Sequence, residues 1–600
     1  MKTRDIRVNK ELIWIGDDVE IIKLDNVSTQ KISSKQRFSN ELVTLVKQSF
    51  VGRSAKQLVV DYPILQGFFD TNKIINTEKL LSTEGKIQLL FDLAFRAQTI
   101  LFNKQSRADN GVYYTPSNEV RPLMKKLASS QIKSLCEPAC GTSILTLTFL
   151  DEYIIRHKDV PTVRCFDLSD EAASLSGLFI DLLISIRLGN KVLRDSNRKI
   201  ICADISSNPF SEEEFELILM NPPYVKGAKK FLRAHNNDLT KFGTSNLTNV
   251  FMSYAFSRTS EFGKGLYILG EPVKWGNSYN KIVNQIYSNY KISDYLHSLS
   301  GFDSIQYEIF AIVIERVSKL QNKSNIIGRY ASTLVLNLTK NDETIVKRML
   351  ENSRPLVEFT AQCTRGIYVK KDRIHSGTNF ISSGKEMNAY QSQTNYGIDK
   401  FKDGWKEIFD QRRLIVKAKR GKLLHATVAE PGIATTDNVV NIAPKELPLF
   451  TFLAFLNSAP VSFFLTEVIF CGNSESARIL DGIYLQKLIF PKLNTIELKK
   501  LEKLGKFIYL EVLKSADAGF DNWHLELGRD ARKIDSTITN LPINEALKEI
   551  DEILFKAFGI KPKEAATIMG RYGRVLTSQK KIQKPPLNET KIIPYTTYCI

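Results

Sequence analysis

From about residue 132 onward the chain alternates short apolar runs with longer stretches in which apolar residues recur every three or four positions. The runs at 132–136, 162–167, 199–204 and 215–220 have strand length and are closed by Gly, Pro or an acid, the pattern of strands buried on both faces. The stretches at 144–157 and 170–188 have helical period, with Ser169 placed to cap the second. Alternation of this kind predicts an α/β fold with a mostly parallel sheet. Further strands are expected at 265–270 and 309–314, and a helix with Val120, Leu123, Met124 and Leu127 on one side. Upstream, 86–101 repeats apolar residues at helical spacing (Ile87, Leu90, Leu93, Ala94, Ala97, Leu101), which predicts a small helical N-terminal domain over 1–108. Asp61 with Glu84, Gly85 and Lys86 has the residue types of a nuclease site, but the second group lies on a helix start, so no nuclease is expected there.

The chemistry gathers where the predicted strands end. The run 215–220 leads into Asn221-Pro222-Pro223-Tyr224, and neither proline can extend a hydrogen-bonded ladder. Asn221 is therefore held extended at the carboxyl edge of the sheet, where open α/β folds bind ligands. Its side-chain oxygen and the Pro222 carbonyl can both accept from one planar NH2 group, and Tyr224 offers a face on which a heteroaromatic base stacks. Adenine N6 is such a group. At the first strand end, Glu137 before Ala139-Cys140-Gly141 suits a cationic amino group, and the glycine lets a ligand approach the backbone. Asp167 ends the second strand with a carboxylate suited to ribose hydroxyls, and Asp204 ends the third with one able to accept from an adenine amino group. A single strand-end acid is a common turn residue. Three in succession before Asn-Pro-Pro-Tyr are a site.

Charge widens the picture. The 600 residues carry 83 Lys and Arg against 65 Asp and Glu, a net +18, which favours a polyanionic partner. Basic residues concentrate at Lys226, Lys229 and Lys230 just beyond Tyr224, at Arg365, Lys370 and Lys371, and at Arg412, Arg413, Lys417, Lys419, Arg420 and Lys422. All are candidate phosphate contacts, although a charge run is also the ordinary composition of a solvated face. The seven cysteines are odd in number and scattered, and the six histidines show no paired spacing, so neither a disulfide framework nor a metal site is expected. No apolar run reaches the ~18 residues of a membrane span and the first residues do not resemble a signal peptide, which predicts a cytoplasmic protein.

The order of these motifs resembles the gamma class of S-adenosylmethionine-dependent adenine-N6 DNA methyltransferases of bacterial restriction-modification systems. Tyr114-Thr115-Pro116 precedes Glu137-Pro138-Ala139-Cys140-Gly141, Asn-Pro-Pro-Tyr follows, and a C-terminal region comes after it. The resemblance implies a Rossmann-like methyltransferase domain over 109–335 and an α+β target-recognition domain over 336–600. It implies that Thr115 and Glu137 hold the methionine part of the cofactor, with the backbone at Ala139 and Gly141, while Asp167 holds its ribose and Asp204 its adenine. Phe302, ahead of the strand at 309–314, is the expected partner of Tyr224 across a flipped adenine, with Tyr307 in reserve. The expected partner is double-stranded DNA, the chain a monomer, and any restriction endonuclease a separate protein. RNA adenine, a protein glutamine, or a combined restriction-modification enzyme are the alternatives. One departure stands out: the family loop commonly reads Gly-x-Gly, and here Ser143 takes the second glycine's place.

Overall fold

The computed structural model describes residues 34–51, 53–70, 81–101, 115, 117–189, 197–224, 237–243, 246–300, 308–317, 326–367, 375–381, 395–397, 405–417, 419–420, 424–472, 478–517, 522–527, 537–539 and 541–579. The chain divides into two compact units. One is Met1–Glu271 with Ser288–Ile305 and Ile309–Asn322; the other is Pro272–Tyr287 with Gln306–Glu308 and Lys323–Ile600.

The first unit is built on a seven-stranded sheet, β1 (Ser134–Pro138), β2 (Thr162–Asp167), β3 (Arg198–Cys202), β4 (Phe215–Met220), β5 (Thr259–Gly270), β6 (Tyr290–Leu299) and β7 (Ile309–Arg316), in spatial order β3-β2-β1-β4-β5-β7-β6. β3 to β5 in that order pair in parallel, whereas β7 runs antiparallel between β5 and β6. The order reverses at β1, whose neighbours are β2 and β4. That reversal opens the crevice at the carboxyl ends of these strands. β4 and β7 are buried almost throughout, as continuous apolar runs require in a covered sheet.

Helices connect and cover the strands: α1 (Ser34–Ser49), α2 (Ala55–Asp61), α3 (Thr83–Leu101), α4 (Ser117–Leu127), α5 (Ile144–His157), α6 (Asp170–Leu188) and α7 (Leu247–Arg258). Ser169 caps α6 by accepting from the Ala172 amide at 3.2 Å, and α4 buries the four apolar residues that its spacing singles out. In α6 the side chains of Leu175, Leu178, Phe179, Leu182 and Leu183 are buried, a contribution of roughly 1.5–3 kcal/mol each. α6 also receives the N-terminal helices, which belong to the same unit as the sheet. Ser185 Oγ donates to the Ser49 carbonyl at 2.7 Å, Tyr62 donates to Asp181, and Arg187 bridges Glu84 of α3 and Asp151 of α5. Asp61 pairs with Arg53 at 2.7 Å. Asp61 and Glu84 are thus ion-pair partners of arginines.

The second unit combines small antiparallel sheets with helices. Ala426–Ala429, Arg413–Lys417, Val439–Pro444 and Thr360–Arg365 lie side by side in that order. Its core includes the helices Leu449–Leu456, Ala459–Phe464 and Leu541–Ala557, with Phe452, Phe455, Phe463 and Phe558 buried in one cluster. Arg571 joins the buried acids Asp342 and Glu467, and Tyr572 donates to Glu467 at 2.6 Å. Among the described residues no single helix is long and apolar enough to cross a membrane, and no group of three His, Cys, Asp or Glu side chains could hold a metal ion.

Candidate active site

β1 ends in Glu137-Pro138, and the chain must then turn sharply to start α5 at Ile144. It does so through three left-handed residues, Ala139 (φ 54°), Gly141 (φ 52°) and Ser143 (φ 57°). For a residue with a Cβ this conformation costs on the order of 1 kcal/mol or more, so the path must be fixed by its surroundings. Cys140 N–H donates to the Phe166 carbonyl at 3.1 Å, Gly141 N–H to Asp167 Oδ2 at 2.8 Å, and Ser143 N–H to the Cys140 carbonyl at 2.7 Å. Ser143, at the position where the family commonly has glycine, thereby keeps a glycine-like conformation, and its hydroxyl bonds Ser176 of α6.

Glu137 is 3% exposed and accepts from the Thr146 amide in the first turn of α5 at 3.0 Å. Burial pushes its carboxyl well above the ordinary range, with the Cys165 thiol and the Asp167 carboxylate adding to the effect. The same burial that disfavours the lone carboxylate makes a cation beside it favourable, because an ammonium would stabilise the charged form. Asp167 is also raised by burial, against the opposing hydrogen bonds from the Ser169, Gly141 and Leu168 amides. The Ser169 bond is 2.9 Å, so this carboxylate at the end of β2 ties the turn after its own strand to the loop after β1. Asp204 stands two residues past β3, where its Oδ1 accepts from the Ser206 amide at 2.7 Å and caps a short 3-10 turn.

β4 stops at Met220, and Asn221-Pro222-Pro223-Tyr224 follows without regular structure. The Asn221 amide is oriented from one side: its Nδ2 donates to Thr115 Oγ1 at 3.0 Å, and Thr115 is 5% exposed. This turns Oδ1 toward Tyr224, whose hydroxyl lies 3.1 Å from it and 2.9 Å from the Ile268 carbonyl of β5. Thr115, from the segment before α4, and Tyr224 thus bracket the Asn221 amide and fix which end of it accepts. The Pro223 carbonyl accepts from Thr248 of α7 at 3.3 Å, which anchors the turn to the next helix.

The other candidates divide. Phe302, Tyr307, Lys226, Lys229, Lys230, Lys370, Lys371 and Lys422 lie outside the described residues, as do the side chains of Lys419 and Arg420. Arg365 donates to the Asp437 carbonyl at 2.6 Å, Lys417 is half-buried at the end of its strand, and Arg412 is exposed and paired with Glu430 at 2.8 Å. Arg413 is a correction. It is 1% exposed, and its guanidinium donates to Asn441 Oδ1 at 2.8 Å and to the Ile433 and Gln411 carbonyls at 2.6 and 3.3 Å. All three nitrogens are committed inside the unit, so Arg413 is a structural residue rather than a phosphate contact. Two features escape a reading by spacing: Thr142 within the loop after β1 and Gln98 beside that loop, both buried. The available signal was a polar Gln on an otherwise apolar helical face.

Residues 99–292 match the family model described as N-6 DNA methylase. Among solved structures the chain is similar to the type IIL restriction-modification enzyme MmeI in complex with DNA, at 12% identity and a TM-score of 0.54 over 90% of this chain and 95% of that one. It is similar to the type IIG restriction endonuclease BpuSI at 14% identity, TM-score 0.38, over 88% and 77%. A type I restriction-modification methyltransferase subunit from Streptococcus thermophilus matches at 16% identity, TM-score 0.31, over 42% and 53%. No curated protein matches. At these identities the likeness to MmeI is one of fold. β1 to β5, the buried acid Glu137 at the end of β1 and the Asn-Pro-Pro-Tyr turn after β4 all fall inside the segment that matches the N-6 DNA methylase model.

Proposed function

We propose that this chain is a restriction-modification methyltransferase that takes a target adenine out of double-stranded DNA and methylates its N6, with S-adenosylmethionine as cofactor. The observation that carries the reading is the Asn221 amide, held by Thr115 at 3.0 Å so that its oxygen accepts, at the carboxyl end of β4. The cofactor, when bound, supplies an electrophilic methyl on a sulfonium. The residues present fit it. Glu137 receives its ammonium, Thr115 and the backbone at Ala139 and Gly141 the rest of the methionine part, Asp167 the ribose and Asp204 the adenine amino group.

Toward the base, Asn221 Oδ1 and the Pro222 carbonyl accept the two N6 hydrogens, which draws lone-pair density onto the nitrogen. Positioning and fixed dipoles provide most of the rate. Tyr224 stacks on the extruded ring and Phe302 covers its other face. No general base is required, because the amine becomes acidic once alkylated and loses its proton afterwards. The net +18 supports a nucleic-acid partner, and a basic second unit suits duplex DNA better than a protein glutamine. We read the chain as cytoplasmic and monomeric, with any cognate endonuclease acting separately.

The test is single-molecule sequencing of genomic DNA from a methylation-deficient bacterium expressing the chain, beside Asn221→Ala. N6-methyladenine in one short motif, absent from the variant, is the expected result. A soluble, cofactor-binding protein that leaves DNA unmodified would overturn the DNA reading and favour RNA adenine or a protein glutamine.

A further inference from the structure

The loop after β1 is tethered from more than one direction. Asp167 of β2 holds Gly141, Ser176 of α6 holds Ser143, and a third tether comes from helix α3, which lies almost wholly upstream of the methylase segment. Thr142 is fully buried, and its Oγ1 donates to the Ala94 carbonyl of α3 at 2.8 Å. The helix comes this close because it presents Ala94 and Ala97, 0% and 1% exposed, rather than larger side chains. One turn on, the Gln98 amide nitrogen stands 3.6 Å from where a Cβ on Gly141 would be, so α3 lies against two successive loop residues. Left-handed Ala139 and Ser143 are costly conformations, so the path of the loop depends on its tethers.

We infer that Thr142 is a positioning residue for the cofactor: it ties the cofactor loop to helix α3 and makes the N-terminal helices part of the cofactor site. The inference deepens the proposed methyltransferase reading and rests on it. Thr142 itself points into the protein, so its effect reaches the cofactor through the backbone of Gly141 and Ser143. The consequence is confined to the methionine end of the cofactor. Asn221 and Tyr224 are held by Thr115 and β5 and do not depend on this tether.

The experiment is calorimetric titration of the full chain with S-adenosylmethionine, without DNA, for the wild type, Thr142→Val and Thr142→Ser, followed by steady-state kinetics on a substrate duplex. Losing one buried hydrogen bond at constant shape predicts a cofactor Kd and KM raised about three- to tenfold in Thr142→Val. In the same variant kcat at saturating cofactor and KM for DNA stay within about twofold of wild type, and Thr142→Ser restores cofactor binding. Should Thr142→Val not fold, Thr142→Ala removes the same donor from a smaller side chain and carries the same test. Wild-type cofactor affinity in a donor-less variant overturns the inference, as does an equal fall in kcat and in affinity for DNA. A wild-type chain that binds no S-adenosylmethionine removes the methyltransferase reading together with this one.

Discussion

Two regions of this chain carry the residues that its sequence makes conspicuous, and they behave oppositely. At the carboxyl ends of β1, β2 and β4, Glu137, Asp167 and Asn221 stand at one edge of one sheet, each oriented by neighbours. In the basic run from Arg412 to Lys422, adjacent cations do different things: Arg412 is exposed against Glu430, whereas Arg413 is buried with its donors spent on Asn441, Ile433 and Gln411. Strand-end position constrains where a side chain goes, because parallel topology brings successive strand ends together. Charge constrains only that the group be solvated or paired.

The sharpest way to break this contrast is to remove one member of each region. Asn221→Ala deletes the acceptor on which the chemistry depends, and kcat should fall by roughly 10²–10³-fold or more while S-adenosylmethionine still binds. Steady-state kinetics beside calorimetry check it; an active Asn221→Ala protein would sink the assignment. Arg413→Met keeps most of the volume and removes every donor, which leaves Asn441 and the Ile433 carbonyl short of a partner. Stability should drop by roughly 2–3 kcal/mol in urea denaturation. Undiminished stability with weakened DNA binding would instead make Arg413 a phosphate contact.

Next in size is Glu137→Gln. In the free protein burial raises the Glu137 pKa, so the folded state holds a proton that the unfolded chain releases. Folding stability therefore falls as pH climbs from the ordinary carboxylate range toward the raised value, and the Gln variant should be the more stable of the two at neutral pH without cofactor. A bound ammonium reverses the balance by favouring the carboxylate. Cofactor binding to the wild type should release a proton and strengthen with pH up to that raised pKa, whereas Glu137→Gln binds about 10–100-fold more weakly with that pH dependence gone. Calorimetry in buffers of different ionisation enthalpy reads the proton directly.

Much of this site was legible because its punctuation is strong. The helices at Ile144–His157 and Asp170–Leu188 begin and end where the apolar period does, and β4 ends where the prolines forbid it to continue. β3 stops at Cys202 instead of reaching Asp204, which leaves the acid on a capped turn; a strand-end acid and an N-cap acid look alike in sequence. β6 carries no such punctuation. It is a sheet-edge strand with irregular register and mostly half-buried or exposed residues, so it lacks both the alternation and the apolar run by which strands are recognised. The burial of Arg413 had a signal that its charge concealed. It alternates with Ile415 on one face of Arg413–Lys417, and Ile415 packs with Ala429, Ile433 and Val439.

The smallest effect belongs to Arg412, and it is the most informative about how far charge can be read. Its guanidinium pairs with Glu430 at 2.8 Å and lies over the rings of Phe450 and Tyr509 at 5.3 and 6.0 Å, with 43% of its side chain exposed. An exposed pair of this kind contributes little, so Arg412→Ala should change stability by less than about 1 kcal/mol. If the guanidinium also meets a phosphate, the variant binds cognate and non-cognate duplexes more weakly by a similar factor, and the slope of log affinity against log salt falls by about one. If Glu430 and the two rings are its whole role, the slope stays at the wild-type value. Fluorescence anisotropy across a salt series separates these outcomes, and it does so at the residue next to Arg413, where urea denaturation should show lost stability while the salt slope of the folded protein stays at the wild-type value.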